Sequence, residues 1–508
     1  MKNRFVFVIV LFLFLSSFPI FLGMYLERDG NVFGGIILNP IDGYTYLAKM
    51  QIGYSGEWIY TLPYTAIPGE GGYLFLFYII LGHLARLFHI SPIIFFHIAR
   101  IAGSLYLVLT LYRFVSNIAG KGLLNTSFSW LLFGSGLGWI VLPTGYLPSD
   151  MWVAESYPFL SALANPHFPV GIGLMLELFI LFNQQGKKAV SRNFLGAVLA
   201  FLLANIMPFG YVILICVLFI DSIWNFINKR KFNTFYLFWL GIGGMPVCLY
   251  QIWISNFDPV LKIWNQQNIT TSPPLLDFLI SFSPAIMLAG VLLFTKFGGI
   301  DKQKYQLLII WMVVCVVFAY SPISLQRRFL IGFYVPIVIL ASVVIDYLPF
   351  VFKKGIILIK LIISVSFISN LLLLFIILFG MLTNSPTLYI SRNQQAVLSW
   401  LNENASRHDV ILAPVDLSLL IPAYTGKRVV YGHPFETANA DQAKSLVDNF
   451  YMGYLDIADQ ERFLNEYKVN FIVYPESVLK TKQIHQRDYW NGTYLVGDYL
   501  IVKIENFN

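Results

Sequence analysis

The chain has 508 residues, of which 57% are hydrophobic, 17% aromatic and only 12% charged. That much apolar surface exceeds what one water-soluble core can bury, so the composition excludes a soluble globular protein and calls for contact with lipid. The formal charge of +7 sits mostly in short Lys/Arg clusters between apolar runs, the pattern of membrane orientation and not of nucleic-acid binding.

Met1-Lys2-Asn3-Arg4 precedes an apolar run at 5–26. The run is too long for a signal-peptide core and lacks a small-residue cleavage site, so it reads as a retained span whose start Lys2 and Arg4 hold in the cytoplasm. A first outer loop, 27–72, follows and contains Asn39-Pro40-Ile41-Asp42-Gly43-Tyr44-Thr45-Tyr46, with Trp58 further on. The run 73–90 is apolar but ends with His83, Arg86 and His89. It is expected to lie along the interface, because a full span there inverts the charge pattern downstream.

Further spans are expected at about 92–115, 124–143, 168–184, 191–206, 209–227, 234–254, 275–295, 305–321, 329–348 and 355–382, by the ~20-residue criterion. This arrangement puts Arg113, Lys121, Lys187, Lys188, Arg192, Lys229-Arg230-Lys231, Lys296, Lys302, Lys304 and Lys353-Lys354 on the cytoplasmic side, as the positive-inside rule requires. The expectation is therefore a polytopic α-helical protein of the cytoplasmic (inner) membrane, with about eleven spans, its N-terminus inside and its C-terminus outside. Cys216, Cys248 and Cys315 all lie in apolar runs and have neither disulfide nor metal-ligand spacing.

Two outer segments stand out. The loop 144–167 carries Asp150, Trp152, Glu155, Tyr157 and His167, and a second at 255–274 carries Asp258, Lys262 and Trp264. Arg327-Arg328 falls on the outer side, against the charge rule obeyed elsewhere. Two guanidiniums at the outer end of a span suit bidentate grip of a phosphate; snorkelling to lipid headgroups is the competing explanation.

From about 385 charge rises and apolar runs shorten. Residues 394–404 and 441–450 read as helices, 410–413, 427–431 and 470–474 as strands, and 493–504 as a hairpin around Gly497-Asp498. The expected division is a membrane domain, 1–384, and a soluble extracytoplasmic α/β domain, 385–508. Within the latter, Tyr431-Gly432-His433-Pro434-Phe435-Glu436-Thr437 is the densest unusual stretch. His433 and Glu436 follow a strand, a common place for binding loops.

Moving a sugar from a lipid phosphate to a hydroxyl needs a base, a charge to stabilise the departing phosphate, and a platform for both substrates. Asp42 is the candidate base, against the competing explanation of a turn or helix-capping Asp. Asp150 and Glu155 are candidates to orient an acceptor, to hold a divalent ion with Asp42, or merely to solvate a loop. His167 is a candidate sugar or phosphate ligand, and Tyr44 and Trp58 are candidate stacking platforms, though aromatic belts supply Tyr and Trp at any interface. Glu177, inside a span, is expected to snorkel.

With its cytoplasmic N-terminus, an acid in the first outer loop (Asp42), an interfacial helix, an outer arginine pair (Gln326–Phe329) and a Tyr-Gly-His-Pro-x-Glu-Thr element (Tyr431–Thr437), the chain resembles the GT-C superfamily of membrane glycosyltransferases. This superfamily includes protein O-mannosyltransferases and aminoarabinose transferases. The resemblance implies the GT-C fold, a polyprenyl-phosphate-linked sugar donor, a protein, lipid or glycan acceptor, Asp42 as general base, and Arg327 or Arg328 at the lipid phosphate. Family members often pair acids in the first loop, whereas Asp42 is followed by Gly43 and Tyr44, which leaves use of a divalent cation open. The alternatives are an oligosaccharide ligase or polymerase with a lipid-diphosphate donor, a transporter or flippase, and an inactive glycan-binding scaffold.

Overall fold

The computed structural model describes residues 2–28, 30–184, 189–230, 234–294, 301–351, 355–481 and 490–504. Lys187, Lys188, Lys231, Lys296, Lys353 and Lys354, expected on the cytoplasmic side, lie outside the described residues. The chain divides into two compact units, one of 1–21, 97–250 and 269–380, the other of 22–96, 251–268 and 381–508. The unit that holds the C-terminal segment thus also takes in the stretch around Asp42.

The first unit is helical. Among the described residues of the whole chain, six helices are long and apolar enough to cross a membrane: Arg4–Tyr25, Pro92–Ala119, Pro208–Ile227, Thr234–Phe257, Lys302–Ala319 and Ile357–Leu382. Two bent pairs raise the number to eight if each is one span: Lys121–Phe133 with Gly138–Thr144, bent by 44°, and Leu275–Phe282 with Ala285–Phe294, bent by 94°. The three remaining runs of the eleven expected form the helices His167–Asn183, Ala189–Ile206 and Tyr334–Val351, of 17, 18 and 18 residues. The run at 329–348 loses its first turn because Gln326–Leu330 winds as a tighter 3-10 helix. Glu177 does not snorkel alone; its Oε1 accepts from Arg113 at 2.8 Å.

In the second unit, the helix Leu76–Leu87 has 12 residues, about 18 Å at 1.5 Å per residue, and cannot cross a hydrocarbon core of roughly 30 Å. It packs on the helix Pro40–Tyr54 where both lack side chains: a Cβ on Gly53 would stand 1.9 Å from the Ile79 carbonyl oxygen, and one on Gly82 2.0 Å from that of Met50. Strand β1 (Asn31–Phe33) pairs antiparallel with β2 (Tyr389–Ser391), which ties the segment before Asp42 to the start of the C-terminal segment.

The C-terminal segment then builds a five-stranded sheet from β3 (Val410–Leu412), β4 (Arg428–Val429), β5 (Val469–Pro475), β6 (Trp490–Val496) and β7 (Tyr499–Ile504), in the order β4-β3-β5-β7-β6. β3 runs parallel to β4 and β5, and β7 antiparallel to β5 and β6. Gly497, at φ +57, makes the β6–β7 turn, the left-handed position that a two-residue hairpin turn demands. The helix Arg392–Asn404 starts at a capping box made by Ser391 and Gln394. Val410, Leu412, Val447, Phe450, Phe463 and Ile472 centre the core beneath the sheet.

Candidate functional site

Asp42 sits in the first turn of the helix Pro40–Tyr54. Pro40 pre-sets the entry dihedral, and Asn39 holds the capping position in the left-handed region, φ 48 and ψ 66. From there the Asn39 amide donates to Asp42 Oδ2. An acid in the first turn is favoured by the positive end of the helix dipole. The Asp42 side chain is 43% exposed, so its carboxylate is accessible.

The helical period carries this face inward. Thr45 and Lys49 follow Asp42 at i+3 and i+7. The Thr45 hydroxyl donates to the Asp42 carbonyl at 2.8 Å, and Lys49 reaches Thr45 Oγ1 at 3.4 Å. Lys49 is 1% exposed. Its ammonium donates to Glu436 Oε1 at 2.8 Å and lies 4.4 Å from the Phe75 ring centroid. The Tyr60 hydroxyl donates to the other oxygen, Glu436 Oε2, at 2.8 Å. Burial alone would push the Glu436 carboxyl up. The Lys49 ammonium, with the hydrogen bonds from Lys49 and Tyr60, outweighs burial and holds it below the ordinary carboxylate range. Burial, with the Glu436 charge, raises the Tyr60 hydroxyl well above its usual value, so Tyr60 is a donor at any working pH.

His433 and Glu436 belong to a turn that folds on itself. Thr437 Oγ1 accepts from the Gly432 and His433 amides at 3.4 and 3.3 Å. His433 Nδ1 accepts from the Phe435 and Glu436 amides at 3.0 and 3.1 Å. Gly432 is required by close approach, since a Cβ there would stand 2.7 Å from the Ser418 carbonyl oxygen. Gln267 donates its side-chain amide to the Phe435 and Thr437 carbonyls, which fixes the turn from outside. His433 is buried, with Nε2 3.7 Å from Asp42 Oδ1.

The fold therefore brings Asp42, His433 and Glu436 together. Lys49 and Tyr60 complete the group, and sequence patterning does not single them out. The signal that could have found Lys49 is its i+7 spacing from Asp42 on a helix starting at a proline. Tyr44 points elsewhere: it is buried, donates to the Gly34 carbonyl at 3.3 Å, and burial pushes its hydroxyl up to about 12. Trp58 is half exposed and stacks on His83 at 4.0 Å between centroids.

The other candidates lie in the first unit. Residues 155–156 are hydrogen-bonded to 330–334: the Gly332 amide donates to the Glu155 carbonyl at 2.9 Å and the Ser156 hydroxyl to the Leu330 carbonyl at 2.9 Å. That registers Glu155 against Arg327, whose Nε donates to Glu155 Oε1 at 3.2 Å. The guanidinium lies 4.7 Å from the Trp152 ring centroid. With Nε engaged, the two terminal nitrogens form no ion pair among the described residues. Arg328 packs over Phe209 at 5.7 Å, and its buried Nε has no hydrogen-bond partner among the described residues.

Asp150 is fully buried and accepts from the Gly136 and Gly138 amides at 3.0 and 3.2 Å. Burial pushes its carboxyl up to about 6 against those hydrogen bonds. Its geometry is that of a loop anchor. The His167 ring lies against Phe168 at 4.0 Å at the start of the helix His167–Asn183. Among the described residues, no group of three or more His, Cys, Asp or Glu is placed to hold a metal ion.

Comparison with solved structures finds the same architecture in membrane transferases. ArnT from Cupriavidus metallidurans, bound to undecaprenyl phosphate, matches with a TM-score of 0.55 over 97% of this chain and 97% of its own, at 11% identity. The chain has the GT-C fold. The Archaeoglobus fulgidus oligosaccharyltransferase tethered to an acceptor peptide matches with a TM-score of 0.55 over 94% of this GT-C chain and 70% of its own, at 12% identity. The archaeal oligosaccharyltransferase AglB, in complex with an inhibitory peptide and a dolichol-phosphate, gives 0.56 over the same shares at 11% identity. No family model matches the chain, and no curated protein sequence does.

Proposed function

We propose that the protein is a membrane glycosyltransferase that moves a sugar from a polyprenyl-phosphate-linked donor to an acceptor hydroxyl on the outer face of the cytoplasmic membrane. The observation that carries this reading is Asp42: an accessible carboxylate at a helix start, held on one oxygen by Asn39 and faced on the other by a buried histidine, in a chain with the GT-C fold. The undecaprenyl phosphate bound to ArnT and the dolichol-phosphate bound to AglB support a polyprenyl-phosphate ligand here.

In the proposed reaction the acceptor oxygen attacks the anomeric carbon and its proton passes to Asp42. The bond from that carbon to the phosphate oxygen breaks, and its electron pair leaves with the polyprenyl phosphate, so the anomeric configuration inverts. Arg327 is assigned to the phosphate: Glu155 and Trp152 orient its guanidinium and leave the planar fork for two phosphate oxygens. Arg328 adds positive charge.

The test uses the full chain in lipid nanodiscs with labelled undecaprenyl-phosphate-linked mannose, glucose and aminoarabinose and a cell-envelope extract as the source of acceptor, reading release of undecaprenyl phosphate. The wild type releases it from at least one donor, and Asp42→Asn reduces release by about 10³-fold or more with unchanged expression, as loss of a general base requires. Full activity in Asp42→Asn refutes the assignment. Uptake into vesicles without release favours transport instead.

A further inference from the structure

We propose that His433, supplied by the C-terminal segment, is a positioning residue for Asp42: its Nε2–H donates to Asp42 Oδ1 and aims the carboxylate at the acceptor. This rests on the reading of Asp42 as the base.

The tautomer follows from the turn. Two backbone amides point at His433 Nδ1, so a proton there would face two donors, and the proton of the neutral ring sits on Nε2. Nε2 is the atom that faces Asp42, 3.7 Å from Oδ1, and it has no hydrogen-bond partner among the described residues. A buried N–H without an acceptor is costly, and a carboxylate oxygen stands about half an ångström beyond the ordinary N–H···O range. Catalytic hydrogen bonds are often long before substrate arrives and shorten in the complex.

The bond closes a clamp on the carboxylate, with the Asn39 amide on Oδ2 and the His433 ring on Oδ1. His433 cannot relay the proton onward, because Nδ1 is already occupied as an acceptor. Its work is orientation and stabilisation of the ionised form. Glu436, in the same turn as His433, and Lys49 are bonded to each other. Tyr60 and Tyr64 are kept neutral by burial, reinforced in both by the Glu436 charge.

A donor to the ionised form lowers a carboxyl pKa, so removing it moves the acid limb of the pH–rate profile to higher pH. With the undecaprenyl-phosphate sugar that the wild type cleaves, His433→Leu should lower kcat at least tenfold and move the acid limb of kcat/KM up by about one pH unit, the size expected for one hydrogen bond to a charge. His433→Gln, which returns an N–H near the Nε2 position, should recover kcat to within about threefold and return the limb. A fall in kcat with the limb unmoved, or no rescue by Gln, overturns the proposal while Asp42→Asn inactivity leaves the base assignment standing. An active Asp42→Asn overturns the base assignment and this proposal with it.

A readout free of turnover covers the case in which the Leu variant does not fold. ¹⁵N-histidine spectra of the full chain in nanodiscs, with the His433 resonances assigned by their loss in His433→Gln, should show an unprotonated Nδ1 and a protonated Nε2. The Nε2 resonance should shift in Asp42→Asn. A proton found on Nδ1, or an Nε2 resonance indifferent to Asp42→Asn, overturns the proposal.

Discussion

Lys49 and Glu436 make the most exposed claim about how the Asp42 face is built. Their charges are 2.8 Å apart, with side chains 1% and 11% exposed. At an effective dielectric of about 20 the attraction is about 6 kcal/mol, set against the cost of taking both ions out of water. Glu436→Gln keeps the shape and an acceptor for the Tyr60 hydroxyl but strands the Lys49 ammonium, and Lys49→Met strands the carboxylate. Each single change should cost about 3–5 kcal/mol, because a lone buried charge is left behind. The double variant Lys49→Met/Glu436→Gln removes both charges and should return to within about 1 kcal/mol of the wild type, a coupling of at least about 5 kcal/mol between the two sites. Thermal unfolding of the full chain in detergent, followed by intrinsic fluorescence at one heating rate, reads this as a Tm. At about 1 °C per kcal/mol for a chain of this length, from ~2.1 cal/mol/K per residue, the single variants should fall by roughly 3–5 °C and the double by about 1 °C or less. The pair also sets the acid behaviour. The folded pKa of Glu436 is depressed below its ordinary 4.5, so its contribution is complete above about 4.5 and lost as pH falls through the lower folded value. The wild type should therefore lose Tm more steeply than the double variant below pH 4.5. Single variants that shift by less than about 2 °C, or a double whose loss equals the sum of the singles, would refute the argument.

Asp150 should act in the opposite sense. Its folded pKa is raised from 3.8 to about 6, so the native state holds its proton more tightly. That stability is complete below 3.8, lost as pH rises through 6, and worth about 3 kcal/mol. Asp150→Asn should flatten the fall in Tm between pH 4 and 6; an unchanged slope there removes Asp150 as the cause. Arg327→Lys keeps the positive charge but loses the Nε bond to Glu155 and the planar contact with Trp152. It should weaken binding of undecaprenyl phosphate about tenfold, measured by displacement of a labelled analogue; unchanged affinity removes Arg327 from the phosphate.

The parts of this fold that the sequence shows are those written in local patterns. Apolar length and Lys/Arg placement mark the helices, and alternating runs around Gly497-Asp498 mark the β6–β7 hairpin, because each pattern is satisfied within some twenty residues. Local pattern does not show where a run bends, as at 282–285, or winds tightly before its helix, as at 326–330. Hydropathy averages over such breaks. At the site the division is similar. Asp42 can be seen from its place after the first apolar run, and Gly432–Thr437 from its density of unusual residues. The structure explains that density: the histidine and threonine each accept two backbone amides of their own turn. The Lys49–Glu436 bond joins residues 387 apart in sequence, and no local pattern can announce it. Lys49 alone looks like one more basic residue near an interface. Once Glu436 is known to be its partner, the same lysine explains why an acid persists ionised in a buried turn, and why the histidine beside that acid is held where it faces Asp42. The catalytic reading of Asp42 thus depends on a C-terminal turn whose composition marks it as unusual and whose position only the fold reveals.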